Sequence, residues 1–199
     1  MKGDTSIPVH LRKMDEYRYQ QEQVHNSTQS ITGYYMPRTY KALEKTAKKT
    51  ASMHVPPPRP VTDSEWEDYS QSFPKLKREN AYITDPGTYD GYNCIGWSIG
   101  DNALEYDVEP VAAMVQFYIN SGFRELPKGS AEATVDLMAV SDGYMASHAT
   151  HKYVGDRCPG MPPDLWESKL YPGMRMTHGR YELQGVAYGC VVKSFQKNA

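Results

Sequence analysis

The chain has 199 residues, room for one ordinary domain and an appendage, and a formal net charge of −2. That charge is unevenly spread: residues 1–60 hold ten Lys+Arg against five Asp+Glu, and residues 61–199 hold twelve against nineteen. The acidic C-terminal part argues against nucleic acid as its partner, and no stretch nears the ~20 apolar residues of a membrane span, so no membrane association is expected either.

In chain order, residues 1–60 come first, poor in aliphatic side chains and rich in Gln, Lys, Arg, Ser and Thr, with Tyr17, Tyr19, Tyr34, Tyr35 and Tyr40 among them. Met14–Val24 and Tyr40–Ala51 read as short helices. Pro56-Pro57-Pro58-Arg59-Pro60 reads as an extended polyproline spacer. The expectation is a loosely ordered basic, Tyr-rich arm, mobile or packed by its tyrosines, that can bind a partner or dimerise. A globular domain is expected over residues 61–199. Met1–Ser30 has no apolar run, so no cleavable signal peptide is expected. The chain is expected to be cytoplasmic where it is made, with export by another route left open.

Within the domain, Thr62 or Ser64 can cap a short helix through Ser70, with Glu65, Glu67 and Asp68 suited to its start. Asp85-Pro86-Gly87 is a turn. Asn93 caps a helix that begins with Cys94 and ends at Gly100. A further helix starts at Pro110, with Val111, Met114, Val115 and Tyr118 at i, i+3, i+4 and i+7, and closes at Ser121-Gly122. The period then changes: Thr134–Val140 and Tyr144–Val154 read as strands joined at Asp142-Gly143, followed by Leu165–Leu170 and Ala187–Phe195. Helices followed by consecutive strands indicate an α+β domain with an antiparallel sheet.

The chemistry-bearing residues are a cysteine in the first turn of a helix and a later histidine on a strand. A thiol is nucleophilic only as thiolate, and helix N–H groups plus an imidazolium stabilise that form. Alternation puts Ala146, His148, Thr150 and Lys152 on one face of their strand and Met145, Ser147, Ala149 and His151 on the other. His148, flanked by small residues, is the expected base, and His151 reads as a surface residue. The next strand offers Glu167 or Ser168 to orient the imidazole. The Cys94 N–H, with the Asn93 side chain or the Tyr92 hydroxyl, would form the oxyanion site. Cys94, Cys158 and Cys190 are widely spaced with no Cys-x-x-Cys, so reduced thiols are expected, and without His or Cys at ligand spacing no metal and no cofactor is expected.

The run Tyr92-Asn93-Cys94-Ile95-Gly96-Trp97 resembles the Tyr-Asn-Cys-Ile-Ala-Trp opening of a family of uncharacterised papain-like cysteine proteins, distantly similar to NlpC-type peptidases. Ser147-His148-Ala149 is similar to its Thr-His-Ala, and Trp166-Glu167-Ser168-Lys169-Leu170 to its Trp-x-Ser-Lys-Leu. His178, Leu183-Gln184-Gly185 and Tyr188-Gly189 follow. The resemblance implies a papain-like fold, a helix bearing the cysteine packed on the sheet, with Cys94 and His148 as the dyad. Ser168 matches the family position, which favours it as third catalytic group, with Tyr92, Asn93, Trp97 and Glu167 around oxyanion and substrate. Gly96 departs from the family alanine, and the segment Gly155–Pro163 is longer than its counterpart.

The leading functional expectation is a thiol hydrolase that cleaves an amide or ester through an acyl-enzyme on Cys94, with a peptide or amide-containing substrate. Peptidase, amidase and deamidase remain open, as does a delivered toxin or effector. One alternative is an acyltransferase or cyclase using the same intermediate. The other is a catalytically inert binding domain.

Overall fold

The computed structural model describes residues 56–87, 91–102, 105–140, 143–170 and 173–198. The expectations for residues 1–55, both arm helices and the tyrosines included, lie outside the described residues.

Helix starts follow local chemistry. Helix α1 (Asp63–Ser72) begins at Thr62, whose hydroxyl accepts from the Glu65 N–H while the Glu65 carboxylate accepts from the Thr62 N–H, a reciprocal capping box. Helix α2 (Cys94–Ile99) is capped by Asn93, whose side-chain oxygen accepts from the N–H groups of Ile95 and Gly96. It ends at Gly100 in the left-handed conformation, φ 83°. Helix α3 (Val111–Asn120) presents Met114 and Tyr118 to the core, with Val111 and Val115 packed at its edge.

Most of the architecture is a sheet. Eight strands, β1 (Arg59–Pro60), β2 (Tyr82–Asp85), β3 (Phe123–Leu126), β4 (Val135–Ala139), β5 (Ala146–Lys152), β6 (Trp166–Lys169), β7 (Arg175–His178) and β8 (Cys190–Lys197), pair in the order β1-β2-β7-β6-β5-β4-β8-β3. Every pairing is antiparallel. This overturns the α+β, papain-like expectation. The described fold is mainly β, an eight-stranded antiparallel sheet with three short helices.

Four strands were not anticipated: β1, β2, β3 and β7. β2 and β7 are buried on both faces along most of their length, so neither displays the alternation that marks a half-buried strand. β1 uses the last two residues of the proline run, paired with Ile83 and Tyr82 at the sheet's edge, where proline is tolerated.

The two sheet faces differ in chemistry, and this positions everything that follows. On the front, Val135, Leu137, Ala149 and Phe195 form one apolar cluster with Ile95 of α2 and Met114 and Tyr118 of α3. On the back, His148, Thr150, Ser168, Met176 and His178 are buried. The segment that follows β7 lies against them: the Tyr188 ring stacks on His148 and, more obliquely, against Phe73. Gly189 permits this close approach, because a Cβ there would come within 1.8 Å of the Ala139 carbonyl oxygen.

Strand β5 carries a bulge. Met138 pairs with His148 but Ala139 pairs with Ala146, so Ser147 is the extra residue, and its hydroxyl donates to the Tyr188 carbonyl. The bulge moves Ala146 into the front cluster beside Ala149 and corrects the expected shared face of Ala146 and His148.

Candidate functional site

Cys94 opens α2 and lies against the front cluster. The residue keeps partial exposure, yet its sulfur is enclosed. Burial pushes the thiol up to about 11, against the opposing pull of the Ala149, Ile95 and Cys94 N–H groups. One turn later, Trp97 packs on His151, ring centroids 5.0 Å apart. Helix α2 therefore runs over the Ala149–His151 face of β5.

His148 sits on the other face. Its ring lies flat on Tyr188, centroids 3.8 Å apart and planes 7° apart, and its buried Nε2 has no hydrogen-bond partner. Burial first, and then nearby His178, lower its pKa to about 3. The structure does not bring Cys94 and His148 together; β5 itself stands between them. Alternation correctly set His148 and His151 on opposite faces, but α2 covers the face carrying His151.

The remaining sequence-derived residues divide the same way. Ser168 shares the back face with His148, but its hydroxyl bonds Nε2 of His178 at 2.9 Å. His178 Nδ1 donates to the Gly179 carbonyl, so the neutral ring offers Nε2 as acceptor, and Thr150 lies 3.2 Å from the same nitrogen. Burial lowers the His178 pKa to about 4. Asn93 spends its side-chain oxygen on the cap and one of its two amide N–H groups on the Tyr106 carbonyl, 2.6 Å away, so the side chain is held in the cap. Tyr92 lies under Lys169, whose Nζ is 4.3 Å from the ring centroid, and beside Trp97.

Glu167 and Trp97 belong to a polar cluster on the front that the sequence reading did not assemble. Glu167 accepts from the Thr84 hydroxyl and approaches His151, Oε2 to Nε2 3.6 Å. Arg175 stacks on Trp97, 4.1 Å from the ring centroid, and is held by Asp85 at 2.9 Å. Trp97 Nε1 is buried beside Glu167 without reaching hydrogen-bond geometry.

Burial raises the Glu167 pKa, opposed first by the Thr84 bond and then by Arg175. Burial lowers that of His151, with Arg175 adding to the effect and the Lys152 carbonyl opposing it. Opposite perturbation of an adjacent acid and base marks a candidate functional site. His151 is half-buried, not the surface residue its position near the strand end suggested. Nothing local announced Thr84, Asp85 or Arg175; an Asp and an Arg ninety residues apart meet only through the pairing of β2 with β7.

Among the described residues no group of three or more His, Cys, Asp or Glu side chains is placed to hold a metal ion. None of their helices is long and apolar enough to cross a membrane.

Residues 82–196, more than half of the chain, match the family model described as Domain of unknown function (DUF7689), and the chain belongs to that family. No curated protein and no solved structure matches it.

Proposed function

We propose that the domain is a binding module whose recognition surface is the front-face edge of Trp97 and His151, backed by the largely covered Arg175 and the buried Glu167. The observation that supports this reading most is the separation of the two groups an acyl-enzyme would need. Cys94 and His148 face opposite sides of β5, and burial holds each in its uncharged form. A thiol near 11 has almost no thiolate at neutral pH, and an imidazole near 3 cannot become the counter-cation. The front cluster instead joins a half-exposed indole, a stacked guanidinium and an acid–base pair, the mixture of apolar area and fixed polar groups that binding sites use.

One observation favours a second reading, the thiol hydrolase. Cys94 lies in the first turn of a well-capped helix, with backbone N–H groups directed at its sulfur. On that reading a peptide, amide or ester would acylate Cys94, and water or another acceptor would release the acyl group. The base would then have to come from the front face, where His151 is the histidine.

Intact-mass analysis after exposure to p-nitrophenyl acetate at neutral pH separates the two. The binding reading expects acetylation of Cys94 no faster than of Cys158 or Cys190. A stoichiometric burst of p-nitrophenolate with the acetyl group on Cys94 would refute it and support the hydrolase.

A further inference from the structure

The hydrogen-bond geometry around His151 fixes where its protons are. Nδ1 lies 2.8 Å from the Lys152 carbonyl oxygen, which can only accept, so Nδ1 carries a proton. In the neutral ring Nε2 then presents a lone pair, and it faces Glu167 Oε2 at 3.6 Å. The other oxygen of that carboxyl, Oε1, is committed to the Thr84 hydroxyl. Two lone pairs would confront each other if Glu167 were ionised and His151 neutral, and a proton on either atom converts that repulsion into an attraction.

We propose that His151 and Glu167 share a single proton, and that this proton governs how Trp97 is held on the front face. The reading stands apart from what the face binds. The proton rests on Oε2 as O–H···N, or on Nε2 as N–H···O; either way the pair is neutral overall and no other group is consumed.

The surrounding charges are those of a balanced site. Arg175 of β7 is neutralised by Asp85 of β2, and Lys152 of β5 faces Asp164 at 3.6 Å. Lys169 of β6 lies over Tyr92 and donates to the Gly173 carbonyl. Helix α2 contributes Cys94, enclosed and protonated, and on the back face His178 feels the charge of His151.

Trp97 reads the state of the pair because it touches both sides of it. Its ring packs on His151 and its Nε1–H stands beside Glu167 without a partner. With the shared proton present, the Glu167 carboxyl is either protonated or paired with the His151 imidazolium, so the indole N–H competes with that proton for it. When the proton leaves, the carboxylate becomes the strongest acceptor within reach, and the indole N–H turns to it. The pair and Trp97 thus form a protonation-dependent latch on α2, one turn from Cys94.

Nuclear magnetic resonance on the full chain tests this. Long-range nitrogen–proton spectra at neutral pH should show His151 with Nδ1 protonated. As pH rises, the Trp97 indole N–H, identified by its loss in Trp97→Phe, should move downfield in one step at the midpoint of His151. In Glu167→Gln the Trp97 step should vanish and the His151 midpoint should shift by more than half a pH unit, with Glu167→Asp restoring the step. A His151 ring protonated on Nε2 alone at neutral pH would overturn the proposal. So would a midpoint equal in wild type and Glu167→Gln. Should Glu167→Gln fail to fold, the wild-type tautomer and the coincidence of the two midpoints decide.

Discussion

Lowering the pH from 7 to 5 should cost this domain about 4 kcal/mol of folding stability, through two back-face histidines. The ordinary value in the unfolded chain is 6.5, and the folded values are about 3 for His148 and about 4 for His178. A depressed histidine stabilises the fold fully above its unfolded value and loses that contribution as pH falls toward its folded value, because the unfolded chain takes up the proton first. At pH 5 each residue gives the unfolded state about 2 kcal/mol, against a few tenths for the pair at pH 7, at 1.36 kcal/mol per unit. That magnitude needs both folded values to lie at about 4 or below.

His151, also depressed, adds to the fall, whereas Glu167, raised, works against it. The assay is urea unfolding followed by circular dichroism at fixed pH steps, on wild type and on His148→Phe, which keeps a flat ring on Tyr188 and removes the unpartnered nitrogen. The variant should lose about 2 kcal/mol less than wild type over the same interval. A wild-type stability that changes by under about 1 kcal/mol, or a variant with the wild-type slope, would refute the burial argument.

Further outcomes follow from packing and pairing. Gly189→Ala should destabilise by about 2–4 kcal/mol, since its φ of 72° and its approach to the Ala139 carbonyl both exclude a Cβ; an unchanged melting temperature would contradict the docking of the segment after β7. Arg180→Ala should cost about 3–5 kcal/mol, because it leaves the fully buried Asp136 carboxylate with only the Ser194 hydroxyl; Arg180→Ala with Asp136→Leu should recover much of that loss in the same melt. Thr62→Ala should cost about 1 kcal/mol and fray α1, read as loss of amide protection over Asp63–Trp66.

The helix caps were legible because they are local. Thr62 with Glu65, Asn93, and Gly100 each act within four residues of their own position. β4, β5 and β8 were legible for a similar reason, as alternation or β-branched content survives in each, and β6 because Leu165 and Leu170 bracket a run of strand length. β2 and β7 were not: each is only four residues long and covered along most of its length, so it shows no period of its own.

The site failed to emerge for a different cause. Small residues along β5 suggested room for a helix over His148. The choice of face was instead made across strands. Val135, Leu137, Ala149 and Phe195 line the front and bury the apolar sides of α2 and α3, and that burial outweighs any local fit around one histidine. The polar back, with Asp136, Thr150, Ser168 and Ser194, finds its hydrogen bonds within the sheet and in Arg180 and His178. The bulge at Ser147 then shifted the register by one residue, which no alternation rule could anticipate.

The central claim is that Cys94 and His148 act on opposite sides of one strand, so the rate of Cys94 alkylation by iodoacetamide against pH, followed by peptide mass spectrometry, tests it most directly. The account predicts that Cys94 labels more slowly than exposed Cys190 at neutral pH, accelerates only toward pH 11, and is unaffected by His148→Ala once folding is verified. Rapid labelling of Cys94 near neutral pH that collapses in His148→Ala would contradict it.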